Sequence, residues 1–398
     1  MNNKTYPHKL KQLTMLLYCL LITAPIFAQS KRNTRVKELH IAMEATSFDT
    51  SRQKAEFITY KAVKAMKILP GNKQVIVKGI DFTNGTIEFD AEPLPFKGGS
   101  FLSVYFRQQS TAKSEIVYLR CKPEETEQRN DAVQYAPIIH GVNLWDMMNQ
   151  YQAPAAINNT GWNHMKLVIS GLQMLVYVND MTKPALQIPR LEGDTRNGVI
   201  AFDGNAYFAN LVIRQNETEW LSPLAGADLT DHDINYIRRW DVTTPRQLAA
   251  GQEFLQDDMP ADTTKWVPIT AERRGLINLT RKFVGVENRG GGVQNKTRFV
   301  WLKTTIHAKT DQVVKMQLGF SDFVHVFING ALLYEDKNDY PQPIRKYPDG
   351  RLDIANTAFD VPLKAGDNQL MIRVANYFYG WGVAARIMTM NGINIQQK

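Results

Sequence analysis

The stretch Ser321-Asp322-Phe323-Val324-His325-Val326-Phe327-Ile328-Asn329-Gly330, with Asp367-Asn368-Gln369-Leu370-Met371-Ile372-Arg373-Val374 downstream, decides the fold class. Period-two alternation places Leu370, Ile372 and Val374 on one face of an extended segment, which is the pattern of a strand with one side in a core. Asn329-Gly330 separates two such runs and is a strong two-residue hairpin signal. The Phe323–Ile328 run, that turn and a following strand at Leu332–Tyr334 therefore read as paired antiparallel strands.

Working outward, the same grammar recurs on both sides. Upstream strands are expected at Val63–Ile68, Val75–Lys78, Thr86–Asp90, Phe101–Phe106, Ile116–Arg120, Ala132–Tyr135, Met165–Ile169, Leu175–Val178, Ala185–Ile188, Val199–Phe202 and Tyr207–Ile213. Downstream they are expected at Thr297–Ile306, Val313–Phe320, Thr357–Val361, Gln369–Ala375 and Ala384–Met390. Many short strands with little helix predict an all-β chain of two antiparallel sandwich, or jelly-roll, domains. Ser170-Gly171 and Asp203-Gly204-Asn205 read as hairpin turns, Pro123 to Asn163 as a long irregular insertion broken only by the Ala132–Tyr135 strand, Arg246–Phe254 as a short helix, and Gly290-Gly291-Gly292 as a flexible hairpin tip.

Basic Lys4, Lys9 and Lys11 followed by an apolar run ending near Ala28 read as a secretory signal over residues 1–28. The run of roughly 15 apolar residues falls short of the ~20 that span a bilayer, so the mature chain is expected to have no membrane span and to be secreted, periplasmic or on the cell surface. The domain boundaries are expected at 29–218 and 237–398, with 219–236 as a linker carrying Pro223 and Gly226. The chain has 47 basic and 39 acidic residues; removing the three signal lysines leaves 44 against 39, a net +5. Scattered in this way, the charge excludes the dense basic stripe of a nucleic-acid binder. Cys121 is the lone cysteine of the mature chain, so stability comes from burial and not from a disulfide. The seven histidines have no zinc-type spacing, and neither a Gly-x-Ser-x-Gly elbow nor a phosphate loop occurs.

Three groups of residues carry candidate chemistry. Glu88, Asp90 and Glu92 alternate along one strand and share a face opposite Ile87 and Phe89. Such a row is either a solvated charged edge or a catalytic carboxylate set, and the ~13 Å between positions four apart must shrink to ~5.5 Å for a retaining pair. A second group, Arg107, Tyr118, Arg120, Gln134, Tyr135, His140, Trp145 and Trp162, mixes rings with hydrogen-bonding groups, the combination that suits the apolar face and hydroxyls of a sugar. Trp162 reads first as core. Third, Tyr377, Tyr379 and Trp381 fall on the parity opposite Leu370, Ile372 and Val374, as a rim that either stacks on a sugar or packs between domains.

Two resemblances sharpen this. Phe82-Thr83-Asn84-Gly85-Thr86-Ile87-Glu88-Phe89-Asp90, Phe101–Arg107, Gly198–Phe202 and Tyr207–Leu211 resemble concanavalin A-like lectin/glucanase domains, including the 3-keto-disaccharide hydrolase-like branch. Val300–Ile306, Val324–Gly330 and Gly366–Leu370 resemble the galactose-binding-like jelly roll attached to glycoside hydrolases such as β-galactosidases. The first resemblance implies a curved jelly roll that holds glycans, and its glucanase members would make Glu88 a nucleophile and Glu92 an acid/base around Asp90. Both resemblances admit a structural Ca²⁺ and imply no other cofactor; no ligand loop can be read. The expected partner is a poly- or oligosaccharide. The preferred reading is an exported carbohydrate-binding or carbohydrate-processing accessory protein; a glycoside hydrolase and a surface protein-interaction module remain as alternatives.

Overall fold

A computed structural model describes residues 36–395 apart from 70, 72, 96–98, 123–128, 249–258, 284–296, 341–342 and 344. The expected signal segment, the Gly290-Gly291-Gly292 tip and most of the expected helix after Leu248 lie outside the described residues.

The chain is all-β, and every described strand pairing is antiparallel. The first sandwich stacks two sheets. One, the charged sheet, runs Leu186–Ile188, Gln173–Val178, Asn163–Ser170, Gly85–Pro93, Ala206–Gln215, Val63–Ile68, Ala55–Tyr60, with Lys37–His40 added beside Ala206–Gln215. The other, the junction sheet, runs Val142–Asn143, Val133–Ile139, Lys113–Cys121, Ser100–Ser110, Val199–Asp203, Val75–Val77, Phe48–Asp49, with Gln152–Ala153 beside Val133–Ile139. Alternation sends Ile87, Phe89 and Leu167 from one sheet against Val104, Leu119 and Phe202 from the other. The Phe89 and Phe202 rings meet edge to face at 5.1 Å. Cys121 is buried in this layer, and burial pushes its thiol up to about 12, so it packs as a small apolar group.

The second sandwich stacks a long sheet on a short one. The long sheet runs Val267–Thr270, Arg239–Val242, Thr297–Ala308, Gly366–Asn376, Phe323–Ile328, Ala331–Lys337. The short sheet runs Ile277–Asn278, Gly382–Ile387, Gln312–Ser321, Thr357–Leu363. Leu370, Ile372 and Val374 face inward as their parity requires, against Met316, Leu318 and Phe320.

Ser170-Gly171 and Asn329-Gly330 turn hairpins, with Ser170 opposite Gln173 and Ile328 opposite Ala331. Asp203-Gly204-Asn205 does not. Val199–Asp203 pairs within the junction sheet while Ala206–Gln215 pairs within the charged sheet, so this turn carries the chain from one layer to the other. Gly204 has φ +124 and lies so close to the neighbouring strand that a Cβ would sit 2.0 Å from the Phe101 carbonyl oxygen. A local turn signal records that the chain reverses, not which layer receives it. Two other expectations are corrected. Arg246–Leu248 is a strand paired with Thr297–Phe299 rather than the start of a helix, since long-range pairing overrides a weak local preference. Within the stretch read as an irregular insertion, the expected strand near Ala132–Tyr135 runs on to Ile139 and two short strands join it, closing the edge of the junction sheet.

Candidate functional site

Register builds a polar row across the outer face of the junction sheet. Gln134 lies opposite Tyr118, Tyr118 opposite Ser103, and Ser103 opposite Asp203, so four strands contribute one group each. Below this row Tyr105 pairs with Ile116 and Ala201, and above it Arg120 pairs with Phe101. Each side chain points outward because its neighbours, such as Val104, Val117 and Leu119, occupy the core.

The two ends of the row differ in environment. At one end the Tyr118 hydroxyl donates to Gln134 Oε1 at 2.9 Å and Arg120 Nη2 donates to the same oxygen; Gln134 Nε2 reaches the Trp145 carbonyl at 2.7 Å. All three side chains are buried, and burial pushes the Tyr118 phenol up to about 12. At the other end Asp203 is half-buried and accepts from the Tyr105 hydroxyl at 2.7 Å. Burial raises the Asp203 carboxyl, with hydrogen bonds from Tyr105 and Ser103 opposing; desolvation and the neighbouring Asp203 charge drive Tyr105 well above the usual phenol range. Phe101 is 54% exposed, meets Tyr118 edge to face at 5.7 Å and carries the Arg120 guanidinium 5.9 Å from its centroid.

The buried end is covered by the second sandwich. Trp145 packs against Tyr340, Phe378 and Tyr379 with centroids 4.8, 6.3 and 5.8 Å away, and the Arg351 guanidinium lies over its ring at 5.1 Å. Arg351 Nη2 pairs with Asp131 Oδ2 at 2.7 Å, and Arg120 Nη1 donates to the Asp131 carbonyl at 2.6 Å. Asp146 accepts from the Gly380 backbone N–H at 3.0 Å and the Ser321 hydroxyl at 3.4 Å. Burial pushes the Asp146 carboxyl up to about 7 against these bonds and the Arg351 charge. Phe378 and Tyr379 also pack on the apolar cluster of Tyr105, Ile116, Tyr118, Ala136 and Ala201.

The carboxylate row Glu88, Asp90 and Glu92 lies on the outer face of the charged sheet, and all three are occupied. His164 bridges Asp90 Oδ1 at 2.6 Å and Glu88 Oε1 at 2.9 Å; Arg214 Nη1 holds Glu88 Oε2 and Asn210 Nδ2 holds Asp90 Oδ2. Although burial works to raise both carboxyls, hydrogen bonds from Arg214 and His164 on Glu88, and from His164 and Asn210 on Asp90, bring them below the usual range. Glu92 is 4% exposed and receives Lys61 Nζ at 2.8 and 2.9 Å and the Tyr60 hydroxyl at 2.9 Å. Glu88 and Asp90 are thus ionised and held by cationic and amide donors, and Glu92, the residue expected as acid/base, is buried against Lys61 and Tyr60.

The other sequence candidates separate. Arg107 and Tyr135 do not face outward with Tyr118: they close one end of the core. Arg107 Nε donates to the Thr83 carbonyl at 2.7 Å, and the Tyr135 hydroxyl donates to Glu115 Oε2 at 2.7 Å and accepts from the Glu192 N–H at 2.6 Å. Burial brings Arg107 down to about 10 and Glu115 up to about 7. His140 Nε2 donates to the Arg281 carbonyl oxygen of the second sandwich at 3.3 Å. Trp162 is half-buried beside Tyr60, not core. The rim expected from Tyr377, Tyr379 and Trp381 does not keep strand parity, because the strand ends at Asn376. Tyr377 stacks on Phe323, Tyr379 sits on Trp145, and Trp381 is fully buried in the second core, its Nε1 donating to the Val374 carbonyl at 3.3 Å.

Phe101, Ser103, Tyr105 and Asp203 were missed as candidates. The alternation of Phe101, Ser103 and Tyr105 with Leu102, Val104 and Phe106 was a visible signal that these three share a face. The placement of Asp203 beside them depends on a cross-strand register. Among the described residues, no cluster of three or more His, Cys, Asp or Glu is positioned to hold a metal ion.

No protein-family model matches the chain, and no curated protein matches it. Parts of it are similar to solved β-sandwich structures. A carbohydrate-binding module, CBM66, from Bacillus subtilis is 14% identical over 43% of this chain and 92% of its own, with a TM-score of 0.30. The Bacillus licheniformis β-glucanase is 9% identical over 45% and 98%, with a TM-score of 0.32. A family 35 carbohydrate-binding module from an environmental isolate is 19% identical over 32% and 84%, with a TM-score of 0.21. Each covers less than half of this chain, and what the protein does is read from its own residues.

Proposed function

We propose that this is an exported carbohydrate-binding protein that takes a neutral oligo- or polysaccharide on the uncovered end of the junction sheet. The observation that carries the reading is the exposed Phe101 ring on the same sheet face as the half-buried Asp203 carboxyl, which the buried Ser103 and Tyr105 hydroxyls hold in place. A ring face covers the C–H face of a sugar, and a fixed carboxyl with hydroxyl neighbours pairs with its hydroxyls. Phe378 and Tyr379, anchored on the same face, fix the second sandwich against the site. The resemblance of the two halves of the sequence to concanavalin A-like and galactose-binding-like domains is consistent with this role.

A binding role is favoured over hydrolysis because the carboxylates of Gly85–Pro93 are each held by protein donors: Glu88 by Arg214 and His164, Asp90 by His164 and Asn210, and Glu92 by Lys61 and Tyr60. Affinity gels and glycan arrays with the full mature chain test the reading. Retention by at least one neutral glycan, weakened by Phe101→Ala and by Asp203→Asn with the melting temperature unchanged, is expected. Equal retention of both variants, or no retention on any glycan, overturns it.

A further inference from the structure

The second sandwich carries a cleft on the outer face of its long sheet. It has a volume of about 410 Å³ and lies over Val267–Thr270, Arg239–Val242, Thr297–Ala308 and Gly366–Asn376. Register sets its contents: Arg239 is opposite Thr270, Asp241 is opposite both Pro268 and Lys303, and Thr305 is opposite Gln369. Trp240 and Val242 enter the core, so Arg239 and Asp241 must point outward from the same strand.

The chemistry of this floor is polar and weighted towards positive charge. Thr270, Thr305 and Gln369 offer hydroxyl and amide groups, and Lys303 and Arg239 outnumber the single Asp241 carboxylate. Lys303 extends over the Trp266 ring at 4.3 Å from the centroid, which fixes the ammonium at one side. Arg239 is exposed and makes no ion pair or side-chain hydrogen bond with a described residue. A guanidinium fork left open in a hydroxyl-lined cleft matches a planar carboxylate, which it binds through two parallel N–H bonds. A neutral sugar would leave that fork unmatched. A nucleic-acid strand would find no exposed ring among the lining residues on which to stack its bases, and would meet the Asp241 charge.

We infer that this cleft binds an acidic saccharide, with Arg239 on the uronate carboxylate and Lys303, Thr270, Thr305 and Gln369 on the hydroxyls around it. The site is on a different sandwich from Phe101, so the two readings succeed or fail separately. The test is titration of the full mature chain with oligogalacturonate, with neutral gluco-oligosaccharide of equal length and with inorganic sulfate as controls. Oligogalacturonate is expected to bind, more weakly as salt rises, while sulfate at the same concentration does not displace it. Arg239→Ala should weaken it about tenfold, the loss of one charge-assisted pair, and Arg239→Lys should recover only part of that. Asp241→Asn should tighten it by removing a like charge. Phe101→Ala should leave it unchanged. No binding of oligogalacturonate, displacement by sulfate alone, an unaltered affinity in Arg239→Ala with the fold intact, or a weaker one in Asp241→Asn overturns the inference.

Discussion

The two outer faces of the first sandwich start from similar residues and treat them in opposite ways. On the charged sheet, Glu88, Asp90, His164 and Arg214 satisfy one another in a half-exposed network. On the junction sheet, Tyr118, Arg120, Gln134 and Trp145 are withdrawn from water beneath the second sandwich, Ser103 and Tyr105 are buried too, and on this face Phe101 stays exposed and Asp203 half-buried. The difference teaches that polar and aromatic residues on a strand face do not mark a ligand site by type. What distinguishes the accessible part is exposure: the Phe101 ring remains 54% exposed while the rings of the covered part are buried.

The comparison can be broken most severely at Trp145. Trp145→Ala removes the ring between Arg351 and the Tyr340, Phe378 and Tyr379 group, and should destabilise the protein by about 3–5 kcal/mol, read by chemical unfolding. A variant that unfolds like the parent but no longer binds glycan would show Trp145 to be a ligand residue and not a joint. Arg351→Ala comes next: it deprives buried Asp131 of one of its cationic partners while Arg129 and Arg120 remain, so the loss should be smaller, about 2–3 kcal/mol.

The junction should also respond to pH through Asp146. Its proton leaves near 3.8 in the unfolded chain and near 7 in the folded one. Between those values the folded state holds the extra proton, so stability falls as pH rises through that window and levels off above it. Urea unfolding from pH 4 to 8 should show this fall, with a shallower slope in Asp146→Asn. Parallel slopes would place the titration elsewhere.

The charged face gives the smallest effects. Glu88→Gln should change stability by less than about 1 kcal/mol, because the pairs it leaves are partly exposed, and should leave glycan retention intact. The signs of its pH response are opposite in its two kinds of group. His164 is raised by its hydrogen bond to Asp90 above the ordinary 6.5, so its contribution is full below that value and is lost as pH rises through the folded value. Glu88 and Asp90 are lowered, so theirs is present above 4.5 and 3.8 and is lost as pH falls through the folded values. Loss of glycan binding in Glu88→Gln would move the ligand to this face and reverse the comparison.

Much of this was legible before any coordinates. Period-two runs gave the strands, Ser170-Gly171 and Asn329-Gly330 gave two hairpins, and the spacing of Tyr118 and Arg120 gave a shared outward face. Three things were not legible. Tyr377 to Trp381 lie just past a strand end, where parity no longer holds, and Trp381 turned into the core. Arg107 and Tyr135 carry polar groups that look free in a sequence and are engaged by Thr83, Glu115 and Glu192, 20 to 57 positions away along the chain. Asp203 sits in a turn whose two flanking strands belong to different layers.

The sequence alone determined the class: alternating apolar residues can bury one face only by stacking sheets, and that requirement is local, acting between positions two apart. Which outer face meets solvent, which meets the second sandwich, and which charges find partners were decided by tertiary structure. Those outcomes depend on cross-strand register and on contacts between residues up to 234 positions apart, such as Asp146 and Gly380, and no short-range pattern encodes them.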